Sequence, residues 1–151
     1  MTIGTAALAT EIANAHTNTA IGVEFPAGVR YLASGQQRTI YLHEPTGTVY
    51  KVGDDGCNRY EHETLAKLRT GGHDHAPETT LYEVETTDYE LAALIDEDAT
   101  STRTVIAMPY LPEDGSVPHD DETWLPGMVD LNPDNIHANG GKLWLIDAGG
   151  L

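Results

Sequence analysis

Asp130, Asn135 and Asp147 stand among apolar residues in the segment MVDLNPDNIHANGGKLWLIDAGGL, residues 128–151. Two carboxylates and an amide carbonyl are oxygen donors of the kind Mg²⁺ prefers, and Mg²⁺ usually keeps several waters as well. Each residue also has a purely architectural reading. Asp130 suits the start of an Asx-type turn shaped by Pro133 and Asn135, and Asp147 suits the end of a strand. A second donor set is His73, Asp74 and His75, with His62 nearby. It has the ligand types of a transition-metal site, but an exposed polar loop after a helix is the preferred reading. Cys57 is the single cysteine, so the chain carries no disulfide framework. With Asp54 and Asp55 beside it and Arg59 as its cationic neighbour, it is assigned no thiol chemistry. No Walker-type G-x-x-x-x-G-K-[ST] segment occurs.

The chain has 151 residues, the length of about one domain. A chain of this size buries roughly 68–70% of its unfolded surface, enough for a real core. Its formal net charge is −16, from 24 acidic and 8 basic residues. That balance repels nucleic acid and anionic membranes, and it suits a solvated acidic surface, a mimic of DNA, or solubility in high salt. Any polyphosphate would need local cations to enter. No apolar run reaches the ~18 residues of a bilayer span. The first residues have no basic region of the signal-peptide type. The expectation is a soluble cytoplasmic protein, in character a small accessory protein of phage or actinobacterial type.

The candidate residues must be positioned by the elements around them. Residues 2–15 carry Ile3, Ala7, Leu8, Ile12 and Ala15 near helical spacing, followed by a linker with Pro26 and Gly28. The period then changes to two. VRYLAS, RTIYLHE and GTVYKVG predict a three-stranded antiparallel meander around Gly35 and the EPTG turn. CNRYEHETLAKLRTGG predicts a helix, with Asn58 as N-cap, Leu65 and Leu68 on one face, and Gly71-Gly72 as the stop. TTLYEVE, YELAALID and RTVIAMPYL read as further strands. LPEDGSVPHDDETWLPG reads as loop, and NIHANGGKLWLID as a hairpin turning at Asn139-Gly140-Gly141. Trp124 and Trp144 read as core or interface residues.

This order of elements resembles the protein-kinase-like superfamily, more closely its aminoglycoside and choline phosphotransferase branch. The resemblance spans roughly residues 28–151 and rests on several short motifs in family order. It implies an α+β fold: a minimal kinase-like domain with an antiparallel-sheet N-lobe bearing one helix, and a reduced C-lobe. Residues 1–25 would be an N-terminal helix and linker. Residues 26–151 would be the kinase-like domain, with the N-lobe about 26–110 and the C-lobe about 111–151.

By the same resemblance, Asp130 in DLNPDN matches the catalytic-loop Asp of D-x-x-x-x-N, and Asn135 the metal-binding Asn. Asp147 in LWLIDAGGL matches the D-F-G aspartate, the principal Mg²⁺ ligand, with Ala148 in place of Phe. Lys51 in TVYKVG is similar to the V-A-I-K lysine that pairs with nucleotide phosphates. Its helix partner would be Glu61, which shares a face with Leu65 and Leu68, with Glu63 as the alternative. Tyr110 and Leu111 after VIAMP match the hinge that meets the adenine edge. Gly35 and Arg38 fall in the phosphate loop, which has one glycine where the family has three. MVD stands where the family shows H-R-D, and few residues separate hinge from Asp130.

The resemblance thus implies an ATP- and Mg²⁺-binding protein. It would be a phosphotransferase moving the γ-phosphate to a protein or small-molecule hydroxyl, with Asp130 and Lys51 as its catalytic residues. Alternatives are a pseudokinase-like binding or inhibitory module without turnover, and an acidic DNA mimic. With family helices missing after the triad, residues 2–15 are expected to cover LWLI, Trp124, Leu125 and Met128, from the same chain or from a homodimer partner.

Overall fold

The computed structural model describes residues 2–119 and 133–148. Asp130, Trp124, Leu125 and Met128 therefore lie outside the described residues. The elements run α1 (Ala6–Thr17), β1 (Val29–Ser34), β2 (Arg38–His43), β3 (Thr48–Gly53), α2 (Asp55–Thr70), β4 (Thr80–Thr87), α3 (Tyr89–Ile95), β5 (Thr100–Pro109), β6 (Ile136–Asn139) and β7 (Lys142–Leu145). This is a small α+β domain. Its main sheet has five strands in the order β1-β2-β3-β5-β4, every pair antiparallel, and β6-β7 form a separate hairpin. Sheet and helices are compatible in shape with a kinase-like N-lobe. Among the described residues, no helix is long and apolar enough to cross a membrane.

Side chains alternate across a strand, so the sheet sorts its residues into two faces. Tyr41, Tyr50, Val52, Val84, Val105 and Ala107 form one buried cluster with Ala9, Ile12 and Ala13 of α1. Lys51 lies between Tyr50 and Val52 in sequence and so points to the opposite face. Its register neighbours are Ile40 on β2 and Ile106 on β5. On that face α2 packs, and Leu65 joins Ala76, Ile136, Leu145 and Ala148 in a second cluster.

The placement of α1 corrects one expectation. It was to cover the C-terminal segment, yet it packs on the other face of the sheet, chiefly against β4. The reason is steric fit: the small residues Ala9 and Ala13 let the helix approach the bulky Tyr41 and Tyr50. Leu143 and Leu145 of LWLI instead pack with Leu65 and Leu68 of α2. The side chain of Thr5, the N-cap of α1, accepts the Leu8 N–H. Thr5→Ala is expected to lower stability by about 1 kcal/mol in thermal or urea denaturation, and an unchanged midpoint would remove the cap from the account.

Two further readings change. Residues 89–96 were expected as a strand and form helix α3. The Asp88 side chain caps it by accepting the Leu91 N–H, and Asp96 closes it in the left-handed region at φ 53°. Leu91, Leu94 and Ile95 stand at i, i+3 and i+4, a helical rather than an alternating spacing. Asn58 was expected as the N-cap of α2. The helix begins a turn earlier, with the Asp54 side chain accepting the Cys57 N–H, and Asn58 is fully buried.

The β6-β7 hairpin turns where expected. Gly140 (φ 63°) and Gly141 (φ 82°) sit between paired Asn139 and Lys142, so both loop residues need positive φ, the requirement of a two-residue I′-type turn. The connector after β5 ties the hairpin down. Leu111 O meets His137 Nδ1 at 2.7 Å, Pro112 O accepts from Asn139 Nδ2, and Asp114 accepts the Gly140 N–H.

Candidate functional site

The cleft between the main sheet and the residues following β7 is built around one buried carboxylate. Glu61 on α2 is 0% exposed. Lys51 of β3 donates from Nζ to Glu61 Oε1 at 2.7 Å and to the Ile146 carbonyl at 2.8 Å. Arg38 of β2 donates from Nη1 to the same Oε1 at 3.0 Å and to Asn58 Oδ1 at 3.1 Å. Its Nη2 reaches Asp147 Oδ1 at 2.9 Å. The other Glu61 oxygen accepts a short hydrogen bond from the Ala148 N–H. Asn58 anchors the helix to the sheet, donating from Nδ2 to the carbonyls of Lys51 and Thr104.

Position on α2 explains which acid does this. Glu61 lies three residues after Asn58 and four before Leu65, on the buried face. Glu63 is exposed, as is Lys67. The structure thus brings Glu61, and not Glu63, to Lys51. Asn58 was missed as a site residue, although its spacing from Glu61 was a usable signal. The Ile146 carbonyl was also missed, since no side-chain pattern marks a backbone acceptor.

The charges set the protonation states. Burial alone would raise the Glu61 pKa, but Lys51 and Arg38 beside it and the hydrogen bonds it accepts hold the carboxyl down at about 2. For Arg38, burial opposes the charge, yet Glu61 and then Asp147 more than offset this and raise its pKa. The Cys57 thiol is pushed up by burial and by Asp147, Glu61 and Asp54, against the pull of Arg38. A raised thiol pKa means little thiolate, which agrees with assigning Cys57 no nucleophilic role.

Two hollows adjoin this core and share Ile40. A cavity of about 370 Å³ is lined by Gly35, Gln36, Gln37, Arg38, Ile40, Cys57, Asn135 and Asp147. A narrow apolar slot of about 70 Å³ is lined by residues that include Leu32, Val49, Lys51, Met108, Tyr110, Leu111 and Ile146. The first lies within the ~300–1,000 Å³ of ordinary ligand pockets and the second falls below it. Gly35, Arg38, Asn135 and Asp147 therefore share one cavity wall. Tyr110 and Leu111 line the slot, and Lys51 borders it.

Among the described residues, no group of three or more His, Cys, Asp or Glu side chains could hold a metal ion. His75 and His62 make contacts within the scaffold. His75 Nδ1 lies 2.9 Å from Leu143 O, and His62 Nδ1 lies 2.7 Å from Thr79 Oγ1. Asn135 and Asp147 are a smaller set of oxygen donors. Such a set fits a cation that keeps its waters and takes further ligands from phosphate, as Mg²⁺ does.

Compared with protein-family models, curated proteins and solved structures, the chain matches none.

Proposed function

We propose that this chain binds ATP with Mg²⁺ in the cleft and is a kinase-like phosphotransferase toward a hydroxyl acceptor. The observation that carries this reading is the buried Lys51–Glu61 pair, joined through Arg38 to a cavity whose wall holds Asn135 and Asp147. In this reading the base enters the apolar slot. Because that slot is small, half-buried Leu32, Ile40 or Tyr110 must shift to admit it. The phosphates occupy the larger cavity beside Gly35, Gln36 and Gln37. Glu61 holds the Lys51 ammonium in place, and an ammonium has three donors. Two of them reach Glu61 and Ile146, which leaves one N–H for a phosphate oxygen placed where the slot that Lys51 lines meets the larger cavity at Ile40.

Charge balance makes the binding metal-dependent. Arg38 and Lys51 face Glu61 and Asp147, so the four side chains sum to zero. A polyphosphate entering a chain of net charge −16 needs more counter-charge than that. Mg²⁺ held by Asn135 and Asp147 would bridge phosphate oxygens and neutralise their charge. Asp130, outside the described residues, is the proposed partner of the attacking hydroxyl.

Titration calorimetry with ATP, with and without Mg²⁺, tests the reading. Binding is expected only with Mg²⁺, and ligand at 100 times its dissociation constant should stabilise the fold by about 2.7 kcal/mol. Asp147→Asn should remove the Mg²⁺ dependence. Absence of binding, or binding indifferent to Mg²⁺, overturns it. One observation favours a second reading, a binding module without turnover: Arg38 holds the very carboxylate that the metal needs. Release of phosphate from ATP, measured with candidate hydroxyl acceptors, separates the two.

A further inference from the structure

Helix α3 presents its apolar stripe to solvent. An amphipathic helix on a domain surface normally turns that stripe to the core. Here Leu91, Leu94 and Ile95, at i, i+3 and i+4, are 45%, 81% and 47% exposed, and α3 buries no residue at all. The helix is nevertheless firmly rooted. The Tyr89 N–H donates to Asn18 Oδ1, the Thr87 N–H donates to Asn14 Oδ1, and Asn18 Nδ2 donates to the Thr87 carbonyl. On the other side the Asp88 N–H donates to the Ala99 carbonyl. These contacts fix the base of α3 on α1 and the β4-β5 ends, so the stripe is held out in a defined orientation.

The rim of this stripe is uniformly acidic. Residues 88–102 contain Asp88, Glu90, Asp96, Glu97 and Asp98 and no Lys or Arg. Asp96, Glu97 and Asp98 also line a shallow hollow of about 570 Å³ with Ala92 and Ala93. Exposed apolar residues grouped together with a polar rim mark interaction surfaces. The charge then selects the occupant. A second copy of this chain would bring five like charges against these five, and an anionic membrane or nucleic acid would be repelled in the same way.

We infer that α3 is a docking site for a partner protein that offers an amphipathic helix: an apolar face at i, i+3, i+4 and i+7 bordered by Lys and Arg. The apolar face of the partner covers Leu91, Leu94 and Ile95, and its cations meet the acidic rim. This surface is built from residues other than those of the Lys51–Glu61 cleft.

The test uses the full chain and a labelled synthetic peptide of about 20 residues, long enough to form a helix, with Leu at those positions and Lys elsewhere. Fluorescence anisotropy is expected to show saturable binding that weakens as salt rises. Two control peptides, one with Glu for Lys and one with Ser for Leu, are expected to bind at least roughly tenfold more weakly. Leu94→Ser, at an exposed position and without change of charge, should weaken the Leu/Lys peptide by roughly tenfold or more. Amide shift changes on titration should centre on residues 88–98. Absence of binding overturns the inference. So do equal binding to Leu94→Ser, equal binding by the Ser-for-Leu peptide, and shift changes centred elsewhere. Sedimentation showing a dimer that Leu94→Ser converts to monomer would assign the face to a second copy and overturn it too.

Discussion

Glu61→Gln is expected to lower the unfolding free energy at neutral pH by about 3–5 kcal/mol, the range for removing one partner of a buried ion pair. The side chain is fully buried and accepts from Lys51, Arg38 and the Ala148 N–H. Gln keeps one acceptor oxygen, loses the charge, and turns an NH₂ toward donors. Buried Lys51 then lacks its counter-ion, and Arg38 keeps only Asp147. For a chain of this length each kcal/mol moves the melting temperature by roughly 2–4 °C, so a fall of roughly 6–20 °C should appear.

The pH dependence gives an independent check. The Glu61 carboxyl titrates at about 2 in the fold against an ordinary 4.5. A depressed folded pKa means that the stabilisation is complete above about pH 4.5. It is lost as pH falls from there toward 2, where the folded carboxyl takes up its proton. At 1.36 kcal/mol per unit, a shift of this size is worth about 3 kcal/mol. The wild-type minus Glu61→Gln difference in stability should therefore shrink between pH 4.5 and 2. A difference constant across that window, or a loss below about 1 kcal/mol at neutral pH, would show that the carboxylate does not act as described.

Lys51→Met is expected to weaken ATP–Mg²⁺ binding by roughly 100-fold or more, about 3 kcal/mol, while costing less stability than Glu61→Gln. The asymmetry follows from the geometry. Without the ammonium, Glu61 still accepts from Arg38, which it shares with Asp147, and from the Ala148 N–H, so it keeps a counter-ion. The methionine stem also fits between Ile40 and Ile106, the register neighbours of Lys51 on the sheet face. Arg38, the other cation beside the phosphates, is already engaged by Asn58, Glu61 and Asp147. Calorimetry and thermal denaturation on the same sample separate the two effects. Unchanged affinity would detach Lys51 from the nucleotide, and a stability loss as large as that of Glu61→Gln would mean that Arg38 does not compensate.

Much of the local structure was legible in the chain. The alternation of RTIYLH and TVYKVG, the turn residues between them and the Asn139-Gly140-Gly141 turn are short-range signals. β2, β3 and the β6-β7 hairpin form where those signals lie. The choice of Glu61 over Glu63 was legible for the same reason, because i+4 and i+7 spacing ties it to the apolar face of α2. The limit was reached at α3. YELAALI carries its large apolar residues at i, i+3 and i+4, a helical spacing, but seven residues are a short window in which to read a period.

The sequence by itself determined which residue types stand at which strand and helix positions, since dihedral preference, turn chemistry and side-chain period act over a few residues. Tertiary structure alone decided what they meet. Arg38 joins Asp147 across 109 residues, and the Lys51 ammonium finds the Ile146 carbonyl across 95. It also decided that α1 lies on the face opposite Lys51 and that the stripe of α3 faces water. No local rule encodes such contacts. They depend on which faces pack and at what distance, and packing is settled by the shape and charge of the whole chain at once.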